Sequence, residues 1–227
     1  MCIRDRCAGY NIFVSGGTGS GKTTLISLIP RFYDATEGEV LVDGVNVKNY
    51  KFDTLYDKLG YVTQKAVLFA GSIRENVFFG ESGAPETDEE LSNAIALSQA
   101  EEFVNKLPDG TEHMISQMGR NVSGGQKQRL SIARALSRKP EILVFDDSFS
   151  ALDYKTDAKL REGLNEKLKD TTKIIVAQRI STIRHADKII VLDRGEAVGM
   201  GTHEELMKSC DVYKEIALSQ LSAAELA

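Results

Sequence analysis

Three shortages in the sequence narrow the classes of protein to which it can belong. The chain has 227 residues but only three cysteines, Cys2, Cys7 and Cys210. Their odd number and their spacing fit neither a disulfide framework nor a metal site, which indicates a reducing compartment. No apolar run approaches the roughly 20 residues that span a bilayer, so another segment or chain would have to supply any membrane spans. No basic block offsets the net charge of −5, which argues against nucleic-acid binding.

The order of apolar runs and amphipathic stretches predicts an α/β domain with a mostly parallel sheet. Strands are predicted at 10–15, 40–42, 45–47, 59–64, 142–145, 173–177 and 189–192, and helices at 23–29, 124–137 and 154–168. Turns are predicted at Asp43-Gly44, which joins two of these strands as a hairpin, and at Arg194-Gly195. The region 72–137 is mainly helical and interrupts this alternation, so it reads as an inserted helical subdomain. The core would then comprise 7–71 and 138–227, and the chain 1–227 would form a single domain.

The glycine-rich segment after the first strand matches the phosphate-binding pattern G-x-x-x-x-G-K-[ST]. Glycines free the backbone N–H groups to surround phosphates, the lysine reaches the β- and γ-phosphates, and the last hydroxyl holds Mg²⁺. The predicted nucleotide-binding residues of this P-loop are Gly16, Gly17, Thr18, Gly19, Ser20, Gly21, Lys22, Thr23 and Thr24. The alternative, a glycine turn without a ligand, does not explain why a strand precedes the pattern and a helix follows it.

A second candidate anion site opens the helix predicted at 124–137. Ser123 and Gln126 have the spacing of a capping box, and Gly124 and Gly125 allow another backbone to approach. A helix start offers free N–H groups and the positive end of the helix dipole, both of which attract an anion. Taken alone, the segment is more simply interpreted as an ordinary capped amphipathic helix.

An acidic residue at the end of a buried strand is the usual magnesium partner of a P-loop. Asp146 follows the apolar run at 142–145 and fits that description. Thr23 and Asp146 are therefore predicted metal ligands. The alternative role for Asp146 is to cap the segment that follows.

These motifs, in this order, resemble the nucleotide-binding domain of ATP-binding-cassette (ABC) transporters. They are the P-loop, Gln64, the signature Ser123–Gln126 and Asp146, and the resemblance extends from about residue 10 to residue 218. It implies a P-loop NTPase (RecA-like) core with a small antiparallel β portion and the inserted helical subdomain. It also implies that each ATP lies between the P-loop of one domain and the signature of a second.

The resemblance assigns further roles by position. Gln64 becomes the Q-loop residue, which senses Mg²⁺ and contacts the membrane domain, so it counts as both a catalytic and a metal-site residue. Asp153 ends the D-loop 150–153 and joins the nucleotide site. The stretch 67–76 resembles exporters in particular. The implied partners are a second nucleotide-binding domain and a transmembrane domain of the same full-length chain, at the cytoplasmic face of the plasma or bacterial inner membrane.

Three positions depart from the family pattern. The family follows the magnesium Asp with a Glu that polarises water, and here that position is Asp147, whose side chain is one methylene shorter. The switch His is replaced by Gln178, which can donate a hydrogen bond but cannot carry charge or relay a proton. The segment 115–120 also lacks the Glu found in many exporters. Asp147 and Gln178 remain the candidate catalytic residues, with low turnover expected.

The sequence therefore predicts an exporter motor domain that binds ATP and Mg²⁺ in a slow or degenerate site. Its partner would be a different half-transporter that carries the missing Glu and His. Three alternatives stay open: a homodimeric exporter with a weakened site, a module that dimerises on ATP without hydrolysis, and a soluble ABC ATPase of DNA repair or translation.

The N-terminal end carries two further expectations. Residues 1–6 contain neither a signal peptide nor a convincing strand, and their codons can resemble a sequencing-library adaptor, so we interpret them as an artefact and expect the natural chain to extend upstream. The aromatic residue that stacks on adenine in the family would lie in that upstream part.

Overall fold

The structure, a computed structural model, describes residues 2–3, 9–80, 83–177 and 180–220. Its strands are β1 (Cys2–Ile3), β2 (Asn11–Gly16), β3 (Leu41–Val42), β4 (Val45–Asn46), β5 (Leu59–Val62), β6 (Gly71–Ser72), β7 (Met114–Ile115), β8 (Ile142–Asp146), β9 (Thr172–Val176), β10 (Lys188–Asp193) and β11 (Glu196–Gly201). Its α-helices are α1 (Lys22–Ser27), α2 (Phe52–Asp57), α3 (Ile73–Val77), α4 (Asp88–Leu97), α5 (Glu101–Val104), α6 (Gly124–Ser137), α7 (Tyr154–Lys167), α8 (Ile180–Ile183), α9 (His203–Ser209) and α10 (Asp211–Gln220).

The chain divides into two compact units. The first comprises the described residues within 1–55, 144–147 and 170–227, and the second comprises those within 56–143 and 148–169. The predicted helical subdomain, 72–137, falls within the second unit. That 72–137 forms a subdomain of its own stays a prediction.

The first unit is built around a parallel sheet. Strand β2 pairs in parallel with β10 on one side and with β9 on the other, and β11 continues the sheet beyond β10 in antiparallel orientation. The last three residues of β8 follow β9 in the strand order. Val14 of β2 is fully buried between Ile190 and Val176, its neighbours in register. Continuous burial along β8 and β9 is typical of parallel strands that are covered on both faces. The α/β fold with a mostly parallel sheet is as predicted.

Two hairpins in the first unit turn on pairs of left-handed residues. Asp43 and Gly44 have φ of 50° and 74° between β3 and β4, and Arg194 and Gly195 have φ of 46° and 87° between β10 and β11. Two consecutive positive φ angles are the signature of the type I′ turn, whose twist matches that of paired strands. The sequence predicted the hairpin at Asp43-Gly44 and the turn at Arg194-Gly195.

Strand β11 was not predicted, although the turn before it was. Its side chains are mainly exposed, so it has no apolar alternation to recognise. Gly199 lies in this strand where a Cβ would come within 2.9 Å of Cys210 Sγ and Leu206 Cδ2, so glycine lets α9 pack closely. The interpretation of residues 1–6 as containing no strand was also wrong for β1, which pairs in parallel with β3.

The second unit is mainly helical and is organised around α6. Helices α3 and α4 pack on α6, and α4 also contacts α5 and α7. Helix α6 spans the predicted range, 124–137, and buries Leu130, Ala133 and Leu136. Strand β5 leads into this unit, and β6 and β7 form a separate antiparallel pair. Among the described residues, we find no helix with the length and apolar character needed to cross a membrane.

Candidate functional site

The P-loop begins where β2 meets its neighbour β10. Gly16 ends β2 with φ of 148°, and a Cβ at this position would lie 2.2 Å from Leu192 O and 2.7 Å from Ser20 Oγ. Gly195 in the following turn donates its N–H to Ser20 O at 3.2 Å. The sheet therefore fixes both the start and the middle of the loop, and only glycine fits at its first position.

The rest of the loop is shaped to receive an anion. Gly19 and Gly21 have φ of 78° and 95°, conformations that glycine adopts without steric cost. A Cβ at Gly17 or Gly19 would meet no heavy atom within 4 Å, so this side of the loop is open. No side chain caps α1, and the N–H groups of a first helical turn have no partner within their own helix. These residues fit a nucleotide phosphate.

The Lys22 ammonium is held inside the loop. Its Nζ donates to Gly16 O at 2.9 Å and Gly17 O at 2.7 Å, and Ser20 Oγ lies at 3.4 Å. Burial lowers the pKa of Lys22, while the negative charges of Asp147 and Asp146 raise it in part. The loop thus keeps a largely buried cation within reach of the open side.

Thr23 and Asp146 meet at the other edge of the loop, as the prediction of a magnesium pair requires. The Thr23 hydroxyl donates to Asp146 Oδ1 at 2.9 Å. Burial raises the pKa of Asp146, the Thr23 hydrogen bond lowers it, and Asp147 raises it further. One carboxylate and one hydroxyl, completed by phosphate oxygens and water, form the kind of site that suits Mg²⁺. In the described ranges, no group of three or more His, Cys, Asp or Glu side chains converges.

Asp147 follows Asp146 in an unusual backbone conformation. Its φ is 46°, in the left-handed region that Asp and Asn visit more readily than other residues with a side chain. Its charge acts on Lys22 more strongly than that of Asp146 does. The first unit therefore gathers the P-loop, Asp146 and Asp147. Gln178 lies outside the described residues.

The signature forms the start of α6 in the second unit. The Ser123 hydroxyl accepts the Gln126 N–H at 3.3 Å, and Gln126 Oε1 accepts the Ser123 N–H at 2.8 Å, so the predicted capping box is present. Ser123 and Gly124 are exposed. A Cβ at Gly125 would lie 3.4 Å from Ala151 O in the D-loop. The exposed helix start leaves room for an anion to approach.

Two other predicted site residues also belong to the second unit. Asp153 caps α7: its carboxylate accepts the Thr156 N–H at 3.0 Å and the Thr156 hydroxyl at 2.7 Å. These hydrogen bonds lower the pKa of Asp153. Gln64 is exposed and follows β5 by two residues.

Two residues of α6 that the sequence did not single out contact the chain around Gln64. Gln128 is buried and donates from Nε2 to Thr63 O at 3.2 Å, and Arg134 donates from Nη1 to Val67 O at 2.9 Å. A usable signal existed for Gln128, because a polar residue on the buried face of an amphipathic helix needs an internal partner.

Comparison with known proteins identifies relatives along most of the chain. A family model described as "ABC transporter" matches residues 7–150. An uncharacterized ABC transporter ATP-binding protein of Mycobacterium tuberculosis is 47% identical over 219 residues, which cover 95% of this chain and 37% of the relative. A Staphylococcus aureus protein, provisionally named as a multidrug export ATP-binding/permease protein, is 43% identical over 208 residues, with coverages of 92% and 36%.

A solved structure shares the fold. The structure of a bacterial Atm1-family ABC exporter with ATP bound superposes with a TM-score of 0.88 and 35% identity, over 93% of this chain and 37% of that one. The chain thus spans just over a third of the length of the curated relatives it matches.

Proposed function

Since this chain belongs to the ABC transporter family, we propose that it is the ATP-binding and ATP-hydrolysing motor domain of an exporter. The observation that carries this proposal is the Thr23–Asp146 pair, a hydroxyl and a carboxylate 2.9 Å apart at the edge of the P-loop, with buried Lys22 beside it. Hydrolysis would drive efflux through a transmembrane domain of the same full-length protein. The motor would work at the cytoplasmic face of the plasma or bacterial inner membrane.

The P-loop residues 16–24 would bind the phosphates of ATP, and Thr23 and Asp146 would hold Mg²⁺. Bound magnesium would neutralise part of the charge on the β- and γ-phosphates. Lys22 would exchange its bonds to loop carbonyls for bonds to the phosphates. Gln64 would have the Q-loop role that the family implies.

The site of this chain is proposed to be slow. Asp147 places a carboxylate where the family has a Glu, and the shorter side chain withdraws that carboxylate from the attacking water. Gln178 cannot carry the charge that a switch His can. The proposed partner is therefore a second nucleotide-binding domain, from a different half-transporter that supplies a Glu and a His.

The intact signature then serves the partner. Ser123, Gly124, Gly125 and Gln126 would face the ATP bound to the partner's P-loop, and Asp153 would lie at the same dimer interface. Two ATP molecules would close the dimer, and hydrolysis at the competent site would reopen it. A homodimer with a weakened site is the second candidate, because a carboxylate is still present at Asp147.

A substitution in the signature tests this in-trans role. In the assembled full-length transporter, Ser123→Arg should reduce ATP hydrolysis at least about 100-fold, because the small capping hydroxyl is lost and a bulky side chain fills the space proposed for the partner's ATP. Steady-state ATPase activity measures this. The P-loop residues are unchanged in the variant.

The matched control is Thr202→Arg, which removes an equivalent capping box, that of α9, and adds the same charge at a helix start that is not the signature. It should leave hydrolysis within about two-fold of the unaltered protein. Equal losses in the two variants, or normal activity in Ser123→Arg, would rule out the in-trans role.

A further inference from the structure

Helix α6 holds the chain on both sides of Gln64. On the N-terminal side, Gln128 Nε2 donates to Thr63 O at 3.2 Å. On the C-terminal side, Arg134 Nη1 donates to Val67 O at 2.9 Å. The three residues 64–66 therefore lie between two anchors that belong to one helix, and the signature is the start of that helix.

The Gln128 anchor is rigid because its surroundings are tightly packed. The Gln128 side chain is only 2% exposed. In β5, a Cβ at Gly60 would lie 2.8 Å from Leu143 Cδ2 and 2.9 Å from Ala135 O of α6, so the strand that leads to Gln64 lies directly against the helix. An amide donor enclosed in this way gives its acceptor little freedom to move independently.

The Arg134 anchor is braced by several contacts. Its guanidinium also donates to Asn76 O at 2.7 Å and to Asn76 Oδ1 at 3.0 Å. It lies 5.5 Å and 5.4 Å from the ring centres of Phe69 and Phe79, which stack on each other at 4.1 Å. Burial lowers the pKa of Arg134 to about 10, so the group stays charged at neutral pH. The segment that leaves Gln64 is therefore fixed to α6 as well.

We infer that α6 links the position of Gln64 to the position of the signature, and that Gln128 is the positioning residue of this link. Gln128 lies about one helical turn from Gly124, so a displacement of Thr63 would be passed to the helix start over roughly 6 Å. The state of this chain's Q-loop would then alter hydrolysis at the site that the signature completes in the partner. The inference rests on the proposed function for the role of each end.

A double-mutant cycle on the assembled full-length transporter tests the link. Because the chain's own site is proposed to be slow, any loss of ATPase activity from Gln64→Ala is a loss at the partner's site. That loss should be at least about five-fold smaller when Gln128→Met is already present, since the link is then broken. A five-fold change corresponds to about 1 kcal/mol of coupling. Gln128→Leu, which has no donor and keeps the site apolar, should give the same result if the Met variant folds poorly.

Ser137→Ala is the matched control for the cycle. Ser137 is also a buried polar residue of α6, but its hydroxyl bonds Val77 O at 2.9 Å and the backbone oxygen of Arg134 at 3.0 Å, and it does not bond the chain beside Gln64. In the Ser137→Ala background, Gln64→Ala should reduce ATPase activity by the same factor as it does in the otherwise unaltered protein. The inference is overturned if Gln64→Ala has no effect in the unaltered protein, or has the same effect with and without Gln128. Failure of the proposed function would show separately, as normal activity in Ser123→Arg.

Discussion

Gly16 shows how one residue can determine whether the phosphate loop forms. Its φ of 148° and the 2.2 Å that would separate an added Cβ from Leu192 O leave no room for a side chain. Gly16→Ala should therefore destabilise the fold by roughly 2–4 kcal/mol, through backbone strain and the clash together. Denaturant unfolding followed by circular dichroism measures this.

Gly17→Ala is the control, because a Cβ there meets nothing within 4 Å. Its free energy of unfolding should stay within about 0.5 kcal/mol of that of the unaltered protein. Equal effects of the two changes would contradict the close approach of β10.

Asp147 limits turnover in the proposed mechanism. Restoring the family residues with Asp147→Glu and Gln178→His should raise the ATPase activity of this chain's own site about ten-fold or more, because a positioned base typically contributes at least that much. The same change should cost up to about 1 kcal/mol of stability, since Glu tolerates the left-handed backbone at Asp147 less well than Asp does. Activity is best measured with the partner's site inactivated.

Asp147→Asn provides the size-matched control, because it keeps the length of the side chain and removes the carboxylate. It should lower the residual activity further. Asp147 takes no part in hydrolysis if ATPase activity neither rises in the variant that contains Asp147→Glu nor falls in Asp147→Asn.

Among the elements, the helical pair α9 and α10 has a contact that depends on pH. His203 Nδ1 lies 2.8 Å from the hydroxyl of Tyr213, which is fully buried. Burial raises the pKa of Tyr213 to about 12, so the phenol keeps its proton at neutral pH. It can donate this proton to His203 Nδ1 in the neutral imidazole tautomer that has its own proton on Nε2. Burial also lowers the pKa of His203 from 6.5, with repulsion from Arg184 and His185 acting in the same direction and Glu204 acting against them.

The sign of the pH effect follows from that lowered pKa. Between the folded-state pKa and 6.5, the unfolded chain binds more protons than the folded one, so stability falls as the pH drops through this window. The loss should be less than about 1 kcal/mol, because the ring is partly exposed to water. Thermal unfolding at pH values from 5 to 8 measures it. His203→Gln should flatten this part of the profile, and an unchanged profile would show that His203 is not the group responsible.

The signals available in the sequence differed from element to element. Both ends of helix α6 could be predicted to the residue, because its capping box and its apolar face indicate the same helix. Strand β11 could not be recognised from its own residues, since an exposed edge strand needs no apolar side chains, although the Arg194-Gly195 turn implied a partner strand. The pairing of Gln128 with Thr63 joins residues 65 positions apart, and no local pattern encodes such a contact.

Within the candidate site, the sequence singled out side chains that the structure brings together, but it did not predict their backbone conformation. The P-loop pattern and the strand-end position were sufficient to pair Thr23 with Asp146, because loop and strand end share one edge of a parallel sheet. The left-handed backbone of Asp147 had no sequence signal, since most Asp residues after a strand have negative φ.

At the scale of the whole molecule, the net charge of −5 separates the exporter proposal from a DNA-repair ATPase. Phosphate contacts by Lys and Arg supply most non-specific affinity for DNA, and no basic block is available to make them. We expect no binding of a short duplex tighter than about 100 µM at roughly 150 mM salt, by fluorescence anisotropy. The measurement is repeated with ATP and Mg²⁺ as a control for a nucleotide-dependent surface. Micromolar binding that weakens steeply with salt would favour the soluble alternative.

The capping box of α6 has a consequence for the life of the protein in the cell. Ser123 and Gln126 satisfy each other's backbone N–H groups through their own side chains. The helix start can therefore form during synthesis, before a nucleotide or a partner subunit is met. A newly made chain in a cell depleted of ATP would still present a finished surface for assembly. Under the proposed function, nucleotide supply would then control when two nucleotide-binding domains engage, while quality-control proteases would find this segment already ordered.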